Sequence, residues 1–180
     1  DPLNEERLTA WVSHQERYIS SLGDWYQRYE IPAGAFLTLE RTDDPNTLLI
    51  SYHPKRRTHR EYVRVASVRG DRLAFGVRRQ PMALEFDETM IMLDEDFEAT
   101  DRLWRSVTAA QKPIGELLRE VFSELAKLSP QGTVHFNTLY TAINMLRCCP
   151  PEPILGELTL DWRYVGVGSG YYAMDERVTA

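Results

Sequence analysis

A change of hydrophobic period, from helical to alternating and back to helical, restricts the fold of this 180-residue chain more than any other feature. Between positions 8 and 29 the apolar residues Leu8, Trp11, Val12, Tyr18, Ile19, Leu22, Tyr26 and Tyr29 recur at steps of three and four, the spacing of one helix face. This predicts an amphipathic helix over 1–30, capped by Asn4 and closed before Pro32, with its aromatic stripe in the core. From 35 to 93 the period drops to two. Segments 35–41, 47–53, 61–68, 72–78 and 82–93, the last interrupted at Asp87 and Glu88, are rich in β-branched, aromatic and leucine residues and are separated by turn chemistry. Short strands in sequence, with no helix between them, predict an antiparallel β meander or small barrel over 31–100.

Helical spacing returns over 103–128, where Leu103, Trp104, Val107, Ile114, Leu117, Leu118, Val121, Phe122 and Leu125 share a face and Pro113 restarts the helix at its first turn. Ser129, Pro130, Gln131 and Gly132 end it. A short strand over 133–136, a helix capped by Asn137 and a third helix over 153–160 follow. Two aromatic strands, 163–167 and 171–175, then flank Gly168, Ser169 and Gly170.

The order of elements over 112–176 resembles a winged helix of the helix-turn-helix superfamily. The residues that carry the resemblance are Val134-His135-Phe136-Asn137-Thr138-Leu139-Tyr140 followed by Val165-Gly166-Val167-Gly168-Ser169-Gly170-Tyr171-Tyr172, which look most like the domains appended to chromatin and restriction proteins. The resemblance implies a fold for the C-terminal third and two uses for it, DNA reading or protein connection. The expected class is α+β: an N-terminal helix, the β domain, and over 101–180 a helical linker with a winged-helix-like domain.

Composition sets the outer bounds. With 43% hydrophobic and 27% charged residues, a chain of this length buries roughly 70% of its unfolded surface on folding. The 21 Lys and Arg against 27 Asp and Glu leave a formal net charge of -6, so attraction to a polyanion must be local. Cys148 and Cys149 are adjacent, a spacing that rarely meets disulfide geometry, and they point to a reducing compartment, with the cytoplasm as the default expectation. No apolar run reaches the roughly 18 residues that span a bilayer, so no membrane partner is expected.

Charge is strongly segregated within the β region. Between His53 and Arg79 stand Lys55, Arg56, Arg57, Arg60, Arg64, Arg69, Arg72, Arg78 and Arg79 against only Glu61 and Asp71. Between Glu85 and Asp101 every charged residue is acidic. A hairpin tip over 54–60 would present Lys55, Arg56, Arg57 and Arg60, flanked by Tyr52 and Tyr62, with Arg64 on the strand beyond. Guanidinium forks match phosphate oxygens, and neighbouring rings can stack on unpaired bases. The competing expectation is that the basic strands and the acidic segment neutralise each other across the sheet.

Other motifs carry less. Residues 166–170 are glycine-rich but lie between strands, without the helix N-terminus that holds a phosphate. Neither the histidines nor the cysteines show zinc spacing, and the acidic run lacks the alternation and glycine of a calcium loop. Residues 151–162 contain Glu152, Glu157 and Asp161 but no cation, unlike a major-groove recognition helix. The sequence therefore predicts a non-catalytic, nucleic-acid-associated binding module with no cofactor or metal. Its phosphate contacts would run through the basic hairpin, and its winged-helix unit would bind a protein partner or a second copy of the chain. The alternative expectation is an assembly module with no nucleic-acid binding.

Overall fold

The computed structural model of the chain describes residues 7–14, 18–54, 58–85 and 87–175. Over these residues it is a mixed α+β structure with several small, mainly antiparallel sheets.

The N-terminal region departs from the expected helix. Val12–Ser13 (β1) pairs antiparallel with Tyr18–Ile19 (β2), and helix forms only over Gly23–Arg28 (α1). Val, Ile and Tyr favour strands, and a three-and-four spacing secures a helix only when its stripe is buried. Here the stripe lies in solvent: Trp11 is 73% exposed, and Val12, Tyr18, Tyr26 and Tyr29 are exposed as well. Ser21, with a left-handed φ of 69°, turns the chain before α1. The aromatic ring buried in this region is that of Trp25, which the expected stripe does not include, with the Tyr26 and Tyr29 rings 5.6 and 5.5 Å from it. The expected Asn4 cap lies outside the described residues.

Alternation does become strand. Leu37–Arg41 (β3) and Leu48–Tyr52 (β4) form a hairpin, and the Asp44 carboxylate organises its turn by accepting from the Asn46 N–H at 2.9 Å and the Thr47 hydroxyl at 2.7 Å. Thr58–Arg69 (β5) and Arg72–Leu84 (β6) form a longer hairpin closed at Gly70, whose φ of 66° suits a tight two-residue turn. A register shift between Arg60 and Tyr62 lies beside Pro81, which the ladder tolerates because β6 is an edge strand.

The expected small barrel does not form. Among the described residues the strands divide into a β3–β4 pair and a separate sheet of order β6-β5-β7, in which Leu93–Asp94 (β7) joins β5 in parallel. The expected interruption of the 82–93 segment at Asp87 and Glu88 is a 3₁₀ turn, Glu88–Met90, which the Asp87 carboxylate caps by accepting from the Thr89 N–H.

Phe97–Ala109 (α2) is capped by Asp96, which accepts from the Ala99 N–H. After Gln111, at a left-handed φ of 51°, Pro113 sets the start of Ile114–Ala126 (α3). Thr133–His135 (β8), Phe136–Leu146 (α4), Pro151–Leu160 (α5), Tyr164–Gly168 (β9) and Tyr171–Met174 (β10) complete the chain, with a C-terminal sheet of order β8-β10-β9. The cap of α4 is His135 rather than the expected Asn137, because the Asn137 side chain is held elsewhere, by Asp87. Among the described residues no helix is long and apolar enough to cross a membrane.

One apolar core unites the helices with the base of the long hairpin. Leu117, Leu118, Phe122, Leu139, Ile143 and Ile154 are fully buried, and Leu73 of β6 belongs to the same cluster, with Val68, Phe75 and Met92 packed against it. Sheet and helices should therefore melt together. Leu73→Ala is expected to cost about 2–5 kcal/mol and to shift the urea midpoints of far-UV circular dichroism and tryptophan fluorescence equally. Two separate transitions would contradict a common core.

Candidate functional site

Alternation along β5 sends Val63 and Val65 into the interior and leaves Tyr62 60% exposed, with Arg60 and Arg64 two residues to either side of it. These three form one wall of a groove of about 960 Å³. The opposite wall is built from β8 and the β9–β10 hairpin, through Thr133, His135, Ser169 and Tyr171. Leu125 and Leu128, at the end of α3, supply apolar surface between them.

Glu88 joins the two arginines. Its carboxylate pairs with Arg60 Nε, and its backbone carbonyl accepts from Arg64 Nη1 at 3.3 Å. Half of the Arg60 side-chain surface remains exposed, so the pair is screened by water and orients the guanidinium more than it stabilises the fold. Further along the sheet Arg78 pairs with Glu95, and Arg79 lies 3.8 Å from Glu61. The acidic segment thus neutralises at least two cations of the basic strands.

The turn that carries Glu88 is fastened to α4. The Asp87 carboxylate accepts from the Thr89 N–H at 2.8 Å, the Thr89 hydroxyl at 2.6 Å and the Asn137 amide at 2.8 Å. The Thr138 hydroxyl donates to the Thr89 carbonyl at 2.6 Å, and that of Thr141 donates to the Met90 carbonyl at 3.0 Å. Burial alone would raise the Asp87 carboxyl, but the Thr89 and Asn137 hydrogen bonds outweigh it and hold the group below the ordinary carboxylate range.

His135 fixes the far wall. Its Nδ1 accepts from the Asn137 N–H at 3.1 Å, and its ring meets Tyr171 edge-on with centroids 4.8 Å apart. The hairpin tip is held by the Phe136 N–H donating to the Gly170 carbonyl at 2.8 Å. Gly170 has a left-handed φ of 79°, and a Cβ there would lie 2.7 Å from His135 Nε2. The left-handed backbone favours glycine, and a larger residue would also have to displace the His135 ring.

Of the residues that the sequence singles out, Arg60, Tyr62 and Arg64 meet in this groove. Tyr52 does not line it: this residue closes β4, its hydroxyl buried and without a hydrogen bond among the described residues. Lys55, Arg56 and Arg57 lie outside the described residues, and the expected hairpin over 54–60 is not found, because β4 and β5 belong to different sheets and Arg60 stands within β5 rather than at a tip. Sequence reasoning misses Glu88, His135 and the hairpin tip as groove residues, because their partners are distant in the chain. Among the described residues no group of three His, Cys, Asp or Glu side chains is arranged to hold a metal ion. Burial pushes the Cys149 thiol up, away from nucleophilic character.

No protein-family model matches the chain, and no curated protein or solved structure resembles it at a significant level.

Two outcomes test this geometry. A depressed carboxyl stabilises the fold above its unfolded pKa of about 3.9, and that contribution is lost as pH falls through the lower folded value. Asp87→Asn should therefore be less stable than the parent above about pH 4, with the gap closing at lower pH in urea titrations; a gap independent of pH contradicts the assignment. Gly170→Ala should lose about 1–2 kcal/mol from the left-handed backbone alone, and more if the His135 ring cannot move aside.

Proposed function

We propose that this chain is a non-catalytic, nucleic-acid-associated binding module. Phosphates are held on the basic face of the β5 region, and proteins are contacted by the C-terminal unit. The observation that carries the reading is the convergence of Arg60, Tyr62 and Arg64 on one groove. Each arginine has N–H groups beyond the single one it gives to Glu88, and a guanidinium fork offers them in a geometry that matches phosphate oxygens. Lys55, Arg56 and Arg57 would extend the cationic surface along the chain.

The succession α3, β8, α4, α5 and the β9–β10 hairpin supports reading the C-terminal third as winged-helix-like. Its third helix is unsuited to a duplex: α5 and the residue after it carry Glu152, Glu157 and Asp161, and Asp161 is already paired with Arg163. The same region exposes apolar surface, with Leu160 86% and Trp162 64% exposed and Val165 and Val167 also in solvent. A protein partner or a second copy of the chain would cover it. The two free cysteines agree with a reducing compartment, and we place the protein in the cytoplasm.

The second reading, an assembly module without nucleic acid, draws its support from the Arg60–Glu88 and Arg78–Glu95 pairs, which satisfy cations internally. Polarisation titrations of a labelled oligonucleotide against salt separate the two. The first reading expects replacement of Lys55, Arg56, Arg57 and Arg60 by Ala to weaken binding and to flatten the log–log salt slope by about 0.7–0.9 for each phosphate that is no longer neutralised. Glu88→Gln should tighten binding by removing a competing carboxylate. No binding at about 50 mM salt, or binding indifferent to all five substitutions, favours the assembly module.

A further inference from the structure

We infer that the groove accepts an unpaired nucleic-acid strand rather than a duplex, with a base stacked on Tyr62 and its neighbouring phosphates on Arg60 and Arg64. This rests on the polyanion reading of the preceding subsection and narrows it to one substrate class.

Four features of the groove point the same way. Tyr62 is a large ring left 60% exposed on a strand whose next residue is buried, so its face is open to a flat ligand. The opposite wall presents a second aromatic, Tyr171, held edge-on by His135. Ser129, Gln131 and Ser169 add neutral hydrogen-bonding side chains of the kind that meet base edges. The volume, about 960 Å³, stands at the top of the range of roughly 300–1,000 Å³ usual for small-ligand clefts. It suits a short stretch of strand.

A duplex meets none of these features. Its bases are stacked inside and offer no free face to Tyr62. The element through which a winged helix reads a major groove is here acidic. Unpaired bases, by contrast, gain from aromatic stacking without regard to sequence, while arginines alongside take the backbone.

Polarisation titrations of the full chain at about 50 mM salt would compare labelled oligo-dT and oligo-U, a duplex of equal length, and adenosine monophosphate as competitor. The expected result is that single strands bind at least about tenfold more tightly than duplex, that Tyr62→Ala weakens them by about tenfold, and that Tyr62→Phe, which keeps the ring face, stays close to the parent. Because Tyr62 is exposed, the urea midpoints of both variants should match the parent and exclude misfolding as the cause. Equal affinity for duplex and single strand, indifference to Tyr62→Ala, or a mononucleotide that binds as tightly as the oligomer would overturn the unpaired-strand assignment while leaving a polyanion site. Failure of every nucleic acid to bind would instead remove the reading on which it rests.

Discussion

The geometry of the groove depends on a seam between two distant parts of the chain, where the turn at residues 87–90 is bonded to the first turns of α4. Asp87 takes three hydrogen bonds, one of them from Asn137, and Thr138 and Thr141 reach back to the Thr89 and Met90 carbonyls. A partly buried carboxylate with this many donors is costly to strip of any one of them. The seam sets where Glu88 stands, and Glu88 sets where Arg60 and Arg64 stand. It also fixes the β5 wall relative to α4, at whose start His135 meets the Tyr171 ring and the Phe136 N–H donates to the Gly170 carbonyl of the other wall.

Electrostatics acts locally in this molecule. A net charge of -6 would oppose binding of any polyanion if it were spread evenly, but the cations are concentrated in β5, β6 and the segment before them. The acidic segment that follows takes up part of that charge, at Arg60 and Arg78. What the pairs leave over is directional N–H groups beside an open aromatic face. The acidic α5 and the exposed apolar residues around Trp162 form a region of different character.

Local structure is legible in the sequence wherever one rule governs it. The turn at Gly70, the hairpin around Ser169 and the break at Pro113 follow from backbone chemistry and stand where expected. The N-terminal stripe misleads because three-and-four spacing assumes a face to bury, and the residues around Trp11 and Tyr18 have none. The barrel fails for a different reason: alternation predicts strands but not which edges pair. At the site, charge and alternation on β5 suffice to single out Arg60, Tyr62 and Arg64. Nothing local marks Glu88 or His135, since the contacts that place them, from Asp87 to Asn137 and from His135 to Tyr171, join positions far apart in sequence.

A strand held between two walls is tested most sharply by amide chemical-shift mapping of the isotope-labelled chain, titrated with an unlabelled single-stranded oligonucleotide. Shifts should concentrate on both walls at once, at residues 60–64 and 168–171, with the turn at 87–90 responding between them. Shifts confined to α5 and the Trp162 surface, or none anywhere, would contradict binding in the groove.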